Sequence, residues 1–491
     1  MDMSHFTTTS DFAPVRLSYV AALRGVAPRG RGANFSYAQV GLNNPENFLC
    51  LAASNPEGLF YAVVPKDSDA VTAKNTANAR NVDNAFFVTD IKALPKLDYI
   101  VCDSVENPNT KYSRVEFGGF AQALVQPGGL MVYRYKAHDN VDEILRFLVN
   151  EFSPEMGPDD AQVFLQEIKA LGSKYFEDHT IARAALDNAI ANKNPGQFFD
   201  TCKAGNKTRS GTFDVMADFV PRNFVYAGDA DISSNYLEMS VPTEAQNLLM
   251  QCQGNVLYET IKDFVMQRLT RCDIWCRTPV KQTDNIVSLY SSFTFGITTP
   301  RELVPNEVVV NGKTINLRFA PFPGLIDLMS SLPLSIGDFM HSDAGKMIAP
   351  PDVVGAVQVL VASGIATPMR SYYQGQDQAD LTHPRWATGF NNYLNDSPVT
   401  KSTVLLASPV VGGAVTVSAR DALVIQALNR AGMADSITAL LPELVRISSD
   451  PALAAQITDV AEPTAESAHN MINEVVNRSM IKWYAYGLLA A

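Results

Sequence analysis

The chain has 491 residues, 46% apolar and 18% charged, with 51 acidic against 39 basic side chains and a formal net charge of −12. That length exceeds what a single hydrophobic core serves, so about two to four domains are expected, at roughly 100–200 residues each. The acidic balance, with no long basic run to follow a phosphate backbone, argues against nucleic acid as a partner.

The first residues, "MDMSHFTTTSDFAP", carry no basic segment ahead of an apolar core, and no run of about 18 apolar residues follows later. No membrane insertion is expected, and the chain reads as cytosolic, with export only by a route that needs no cleaved signal. Cys50, Cys102, Cys202, Cys252, Cys272 and Cys276 are scattered, as are the six histidines, so the thiols read as reduced and mostly buried and no zinc or other metal site is expected.

From Asn34 to Tyr135 short apolar runs alternate with polar helical stretches, from "FSYAQVG" and "GLFYAVVP" to "LDYIVCDS" and "LMVYRY". Such alternation implies parallel βαβ units, hence an α/β layer fold with ligands at the carboxyl ends of the strands. Between Val141 and about Val280 apolar residues recur at three- and four-residue steps, as in amphipathic helices, with one strand-like insert, "NFVYAGDAD". Farther on, "NEVVVNGKTINLRF" reads as a hairpin turning at Asn311-Gly312. A phosphate loop ending in Gly312-Lys313-Thr314 would need a glycine at 307, where Glu307 stands.

Three short helices and a closing strand follow between residues 322 and 369, the order of a winged-helix module, which in an acidic chain suits packing against a protein better than reading DNA. Residues 374–402, rich in Asn, Asp, Gln and Pro, read as a linker or long loop. The last segment holds a glycine-broken strand pair in "ASPVVGGAVTVSA" and then helices. The expected division is 1–140 for the α/β domain, 141–280 for a helical domain, 281–395 for the winged-helix-like module and 396–491 for an α+β unit.

The series "YAQVGLNNPEN", "FVTDI", "LDYIVCDSVENP" and "LVQPGGLMVY" resembles, in order and spacing, the cofactor-domain landmarks of class I methyltransferases that use S-adenosylmethionine. The segment "NFVYAGDADISSNY" followed by "YETIKDFVMQRLTRCDIWCR" resembles the methyltransferase regulatory domain, with Arg271, Asp273 and Arg277 matching a helix that ends in Arg-x-Asp-x-x-x-Arg. The pairing is similar to bacterial proteins that include rickettsial lysine methyltransferases acting on a surface autotransporter. The resemblance implies a Rossmann-like domain, S-adenosylmethionine as cofactor, and Gly41, Asn43, Asn47 and Asp90 as its contacts, with Asp103 beside the transferred methyl.

Two of the family's cofactor devices are altered. Where the family has Glu-x-Gly-x-Gly-x-Gly, this chain has Gln39, Gly41, Asn43 and Pro45. Glycines there let backbone N–H groups reach a ligand. Asn43 tolerates positive φ, but Pro45 has no N–H and a fixed φ. At the end of the second strand, where a carboxylate would take both ribose hydroxyls, stand Val63 and Val64. Asp67 or Asp69 could replace it only through an unusual loop. Asp90 reads equally as an adenine acceptor or as a helix cap, and Asp103 as a substrate-orienting group or a turn former.

Arg271, Asp273 and Arg277 read better as a helix-end ion-pair set than as a substrate patch, and Trp275 as a domain-interface anchor. The favoured expectation is a degenerate, catalytically impaired methyltransferase relative with a structural or regulatory role, partnering itself or another protein. The alternative is an active protein (lysine) methyltransferase with a divergent site.

Overall fold

Strands buried on both faces of a parallel sheet read as unbroken apolar runs, and the runs between residues 34 and 136 form five strands: β1 (Phe35–Val40), β2 (Gly58–Val63), β3 (Ala85–Val88), β4 (Leu97–Asp103) and β5 (Val125–Lys136). The structure is a computed structural model that describes residues 12–27, 29, 34–42, 45–103, 112–137, 158–170, 180–191, 212–252, 257–266, 268, 270–279, 293–299, 301–310, 313–370, 382–451, 454 and 463–490. One unit comprises Met1–Tyr133, Phe219–Gln246 and Cys272–Ala491, the other Arg134–Asp218 and Asn247–Arg271.

In the first unit α1 (Pro14–Leu23) precedes β1. The helices α2 (Pro45–Ala53), α3 (Asp67–Ala79) and α4 (Arg114–Leu124) connect the strands that follow. Two later strands, β6 (Phe224–Asp229) and β7 (Thr270–Arg277), join them in one seven-stranded sheet of order β3-β2-β1-β4-β5-β7-β6. β2, β4 and β3 pair in parallel, β1 with β2 and β4, β2 with β3, while β6 and β7 pair antiparallel. The sheet is therefore Rossmann-like, with its strand order reversing between β1 and β4, where such sheets leave a crevice. Phe35, Tyr37, Phe60 and Tyr99 form an aromatic layer on it, with ring centroids 4.9 to 6.4 Å apart.

The segment read as a helix running into Arg271–Arg277 divides differently. Its helix ends at Met266, and β7 carries Arg271, Asp273, Trp275 and Arg277 at every second position, all but Arg277 fully buried. Trp275 is an anchor within the sheet: Phe219 and Tyr226 meet its ring edge-on at 5.4 and 5.5 Å. The expected turn in "LVQPGG" is absorbed into β5, where Gly128 takes φ +80°.

In the second unit α5 (Pro158–Ala170) and α6 (Thr180–Ala191) are tied by an ion pair between Lys169 and Asp187. Helix α7 spans Thr212–Phe219, α8 Thr243–Gln251 and α9 Leu257–Met266. Arg271 reaches back to α9, donating to Asp263 Oδ1 at 2.6 Å and Glu259 Oε2 at 3.1 Å. The hydroxyl of Thr212 closes the cluster on Asp263 Oδ2 at 2.6 Å. The three charged groups are at most 6% exposed, so the set is a buried ionic cluster, where an ion pair at a helix end was expected.

Farther along the first unit, β9 (Glu307–Val310) and β10 (Lys313–Asn316) form the expected hairpin, Val310 pairing with Lys313. β8 (Thr294–Gly296) is flanked by β11 (Leu334–Ser335) and β12 (Thr367–Met369), both antiparallel to it, and α10 (Phe322–Ser331), α11 (Ile336–His341) and α12 (Pro350–Ala362) intervene. The part of the expected linker that is described, 382–402, is packed instead. It forms β13 (Arg385–Trp386) and a 3-10 turn over Phe390–Asn395, and Trp386, Phe390 and Leu394 are buried. Asn391, fully buried, accepts from Ala407 N and donates to Ala407 O. Residues 371–381 lie outside the described residues. The last elements are the hairpin β14 (Thr403–Ser408) and β15 (Gly413–Ser418), α13 (Ala419–Ser448), broken at Gly432, α14 (Ala465–Ala485) and β16 (Leu489–Ala490), which pairs with β13. Among the described residues no helix is long and apolar enough to cross a membrane.

Candidate functional site

The carboxyl ends of β1 to β4 define the crevice. β1 ends at Val40, and Gly41 turns the chain at φ +83°, a left-handed backbone that a side chain would strain by about 1 kcal/mol. Its N–H donates to Val63 O at 3.0 Å, so this glycine is fixed to the end of β2. Asn43 lies outside the described residues. Pro45 is the first residue of α2, a position where its missing N–H costs no helical hydrogen bond. Asn47 is half-buried in the same first turn.

β2 closes on Val63 and Val64, 3% and 2% exposed, and Val64 N donates to Val88 O at 2.9 Å. Two apolar side chains thus close the β2 edge of the crevice. Lys66 then caps α3 with extended backbone but no side-chain hydrogen bond, and Asp67 begins the helix. After β3, Asp90 caps the 3-10 turn Ile91–Ala93, accepting from Lys92 N at 2.9 Å. β4 ends in Cys102 and Asp103, both buried. Burial and the adjacent Asp103 carboxylate push the Cys102 thiol up to about 12, which leaves it protonated and unsuited as a nucleophile. The register pairs Val40 with Cys102, so Gly41 and Asp103 follow neighbouring strand ends.

A cavity of about 580 Å³ opens beside these ends. Pro65, Lys66 and Asp67 reach it from β2, and Thr89, Asp90 and Lys92 from β3. Tyr112, just ahead of α4, and Glu116 and Phe120 on it also line the cavity, the two rings edge-on at 5.3 Å. Glu116 is held in place by a capping box. It accepts from Ser113 N and Ser113 Oγ, both at 2.8 Å, and these bonds hold its carboxyl below the usual range. Apolar walls from Pro65, Tyr112 and Phe120 and a hydrogen-bonding edge at Thr89 and Asp90 suit a flat, polar-rimmed group such as a nucleobase.

Of the sequence candidates, Asp90 lines this cavity while also serving as a cap, so its two expected roles coexist. Gly41, Asn47 and Asp103 flank the crevice outside that lining. Asp67, the first residue of α3, lines the cavity, and Asp69 does not. Sequence reasoning passed over Lys66, Lys92, Tyr112 and Phe120. The Ser113-x-x-Glu116 spacing is a legible helix start, and it sets Tyr112 immediately before a helix facing the crevice.

Residues 209–277 match the family model described as "Predicted methyltransferase regulatory domain". A search of curated proteins finds no match. Among solved structures, PKMT2 from Rickettsia typhi in complex with AdoHcy is similar over 98% of this chain and 99% of its own, with TM-score 0.69 and 15% sequence identity. A second structure of Rickettsia typhi PKMT2 is similar over 99% of both chains, with TM-score 0.65 and 14% identity. At those identities the likeness is one of fold, and it extends over nearly the whole length of both chains. Residues 209–277 therefore match a methyltransferase regulatory domain, in a chain whose fold is similar to that of PKMT2.

Proposed function

We propose that this chain is a methyltransferase-fold protein whose S-adenosylmethionine site is impaired and which serves as a scaffold or regulatory subunit. The observation that carries the reading is the end of β2. Buried Val63 and Val64 stand where a carboxylate would bind both ribose hydroxyls, and apolar groups cannot replace that bidentate contact. Pro45 at the start of α2 supports it, since a helix opening there presents one backbone donor fewer to a ligand. Calorimetric titration with S-adenosylmethionine and S-adenosylhomocysteine tests it: no heat is expected up to millimolar ligand, and micromolar binding of either would refute it.

A second reading, an active protein methyltransferase with a divergent site, is favoured by the cavity itself, which Asp67 and Asp90 border. The complex of PKMT2 with AdoHcy also speaks for a ligand of that class in this fold. For this reading, Asp90→Asn should weaken cofactor binding about tenfold or more.

We read residues 281–395 as a winged-helix-like module, supported by the order α10-β11-α11-α12-β12 and the three-stranded sheet around β8. Helix α12, "PPDVVGAVQVLVA", has no basic residue, so its partner is protein rather than nucleic acid. Self-association or a protein partner in the cytosol belongs to the same proposal, and a monomer-only mass by light scattering at micromolar concentration would remove the self-association part.

A further inference from the structure

The seven-stranded sheet ends in two edge strands, β3 and β6. An edge strand presents unpaired N–H and C=O groups, which proteins blunt with bulges, charges or proline. β6 is blunted: its register on β7 shifts between Tyr226 and Gly228, Gly228 takes φ +123°, and the strand closes on Asp229. β3 carries no such device. From Asn84 to Thr89, "NAFFVT", the chain holds neither a charge nor a proline, and the register of β3 on β2 is unbroken.

The ladder fixes which backbone groups are open. Phe60 N donates to Asn84 O at 2.8 Å and Val64 N to Val88 O at 2.9 Å, so Asn84, Phe86 and Val88 turn their backbone toward β2. Ala85 and Phe87 turn theirs outward, where no hydrogen bond from the described residues meets them. Every residue of β3 is at least partly open to solvent. Phe86 is 41% exposed and stacks on Tyr61 at 5.3 Å, and Leu59 on the same face of β2 is 47% exposed. A right-handed crossover from β3 to β4 would lay a helix over that face, but residues 89–96 hold only the 3-10 turn Ile91–Ala93.

We infer that β3 is a self-pairing edge: two copies of the chain join antiparallel across it about a two-fold axis, and their two sheets become one. The occupant is a second copy because this edge complements itself. Antiparallel pairing requires outward groups to face outward groups, and a two-fold at Phe86 or at Phe87 meets that condition. Either register covers the exposed Phe86 ring, with its own counterpart or with Val88 of the partner subunit. In neither do two charged residues between 83 and 90 face each other. The inference rests on, and gives a surface to, the self-association proposed above.

Sedimentation velocity of the full chain between about 1 and 100 µM, at about 0.15 M salt to screen the net charge of −12 on each copy, should show a dimer that dissociates in the micromolar range. Amide exchange at Ala85 and Phe87 should slow about threefold or more over the same range, since the dimer closes those donors. Ala85→Pro removes a donor that β2 does not use, and Phe86→Lys sets a charge on the edge. Each should weaken the dimer about tenfold or more with circular dichroism unchanged. The exchange measurement on the unaltered chain decides the matter even where a variant fails to fold. A monomer throughout overturns the inference and the proposed self-association together. A dimer whose β3 amides stay unprotected, or one that neither variant weakens, overturns the inference and leaves self-association standing. β3 amides that close only when another protein is added assign the edge to that protein and overturn the inference. Micromolar binding of S-adenosylmethionine by an intact dimer overturns the impaired-site reading alone.

Discussion

Replacing Arg271 by Met in the second unit tests whether the charges around it are as buried as their geometry requires. Arg271 is 0% exposed on its side chain, Glu259 6% and Asp263 3%, and the guanidinium makes one contact of 2.6 Å and one of 3.1 Å with them. Removing one partner of such a set leaves uncompensated buried charge, at about 3–5 kcal/mol. Surviving contacts include the Thr212 hydroxyl on Asp263, and Lys262 Nζ at 3.9 Å from Glu259. The cost should therefore fall near the lower end, about 3 kcal/mol. Hydrogen exchange on α9 reads it directly, because an opening made easier by that amount lowers protection of those amides about 100-fold. Arg271→Met combined with Asp263→Leu should recover part of the loss, since the double change removes the stranded carboxylate. A drop smaller than about tenfold, or a double variant worse than the sum of its singles, would show that water already reaches the cluster.

Three further outcomes are expected. Burial pushes the Lys482 ammonium down to about 8 against Glu302, which raises it, so between pH 8 and the unfolded value of 10.5 the unfolded chain holds a proton that the native state lacks. Stability should therefore rise with pH across that window by up to about 3 kcal/mol, and urea midpoints of Lys482→Met should lack that rise. Pro45→Gly should destabilise α2 by about 0.5–1 kcal/mol in thermal melts without creating S-adenosylmethionine binding, because proline at the helix start costs no hydrogen bond. Arg80 lies 3.6 Å over the Tyr393 ring and pairs with the half-exposed Glu46 at 2.5 Å, so Arg80→Ala should cost about 1–2 kcal/mol and Glu46→Gln under about 0.5. Equal losses in the two would place the energy in the ion pair and refute the assignment to the ring.

What could be read from sequence depended on whether partners lie near in the chain. β1 and β4 were legible because strands buried on both faces read as apolar runs, β2 and β3 because their short apolar runs are set off by polar stretches, and the β9–β10 hairpin because Asn-Gly between two β-rich runs is a turn signal in the sequence itself. β7 was not, although Arg271, Asp273, Trp275 and Arg277 alternate with Cys272, Ile274 and Cys276 at a strand's period of two. Charged residues on a buried strand face make sense only with Glu259, Asp263 and Thr212 in view, and nothing local to β7 announces them. The same holds for 382–402, where Trp386, Phe390 and Leu394 are sparse among polar residues but sufficient to fasten the segment.

The candidate site divides along the same line. Gly41 and Asp90 could be named from motif spacing, because each works through its own backbone turn. The cavity could not, since its lining comes from the ends of β2 and β3 and from α4, brought together only by the order β3-β2-β1-β4. That order also gives the apolar strand end at Val63 and Val64 its bearing on the proposed function. Had those valines ended an edge strand, an apolar terminus would be a packing detail. On β2, between β3 and β1, they end an interior strand beside the crevice, which is why the proposed impairment of the cofactor site rests on them.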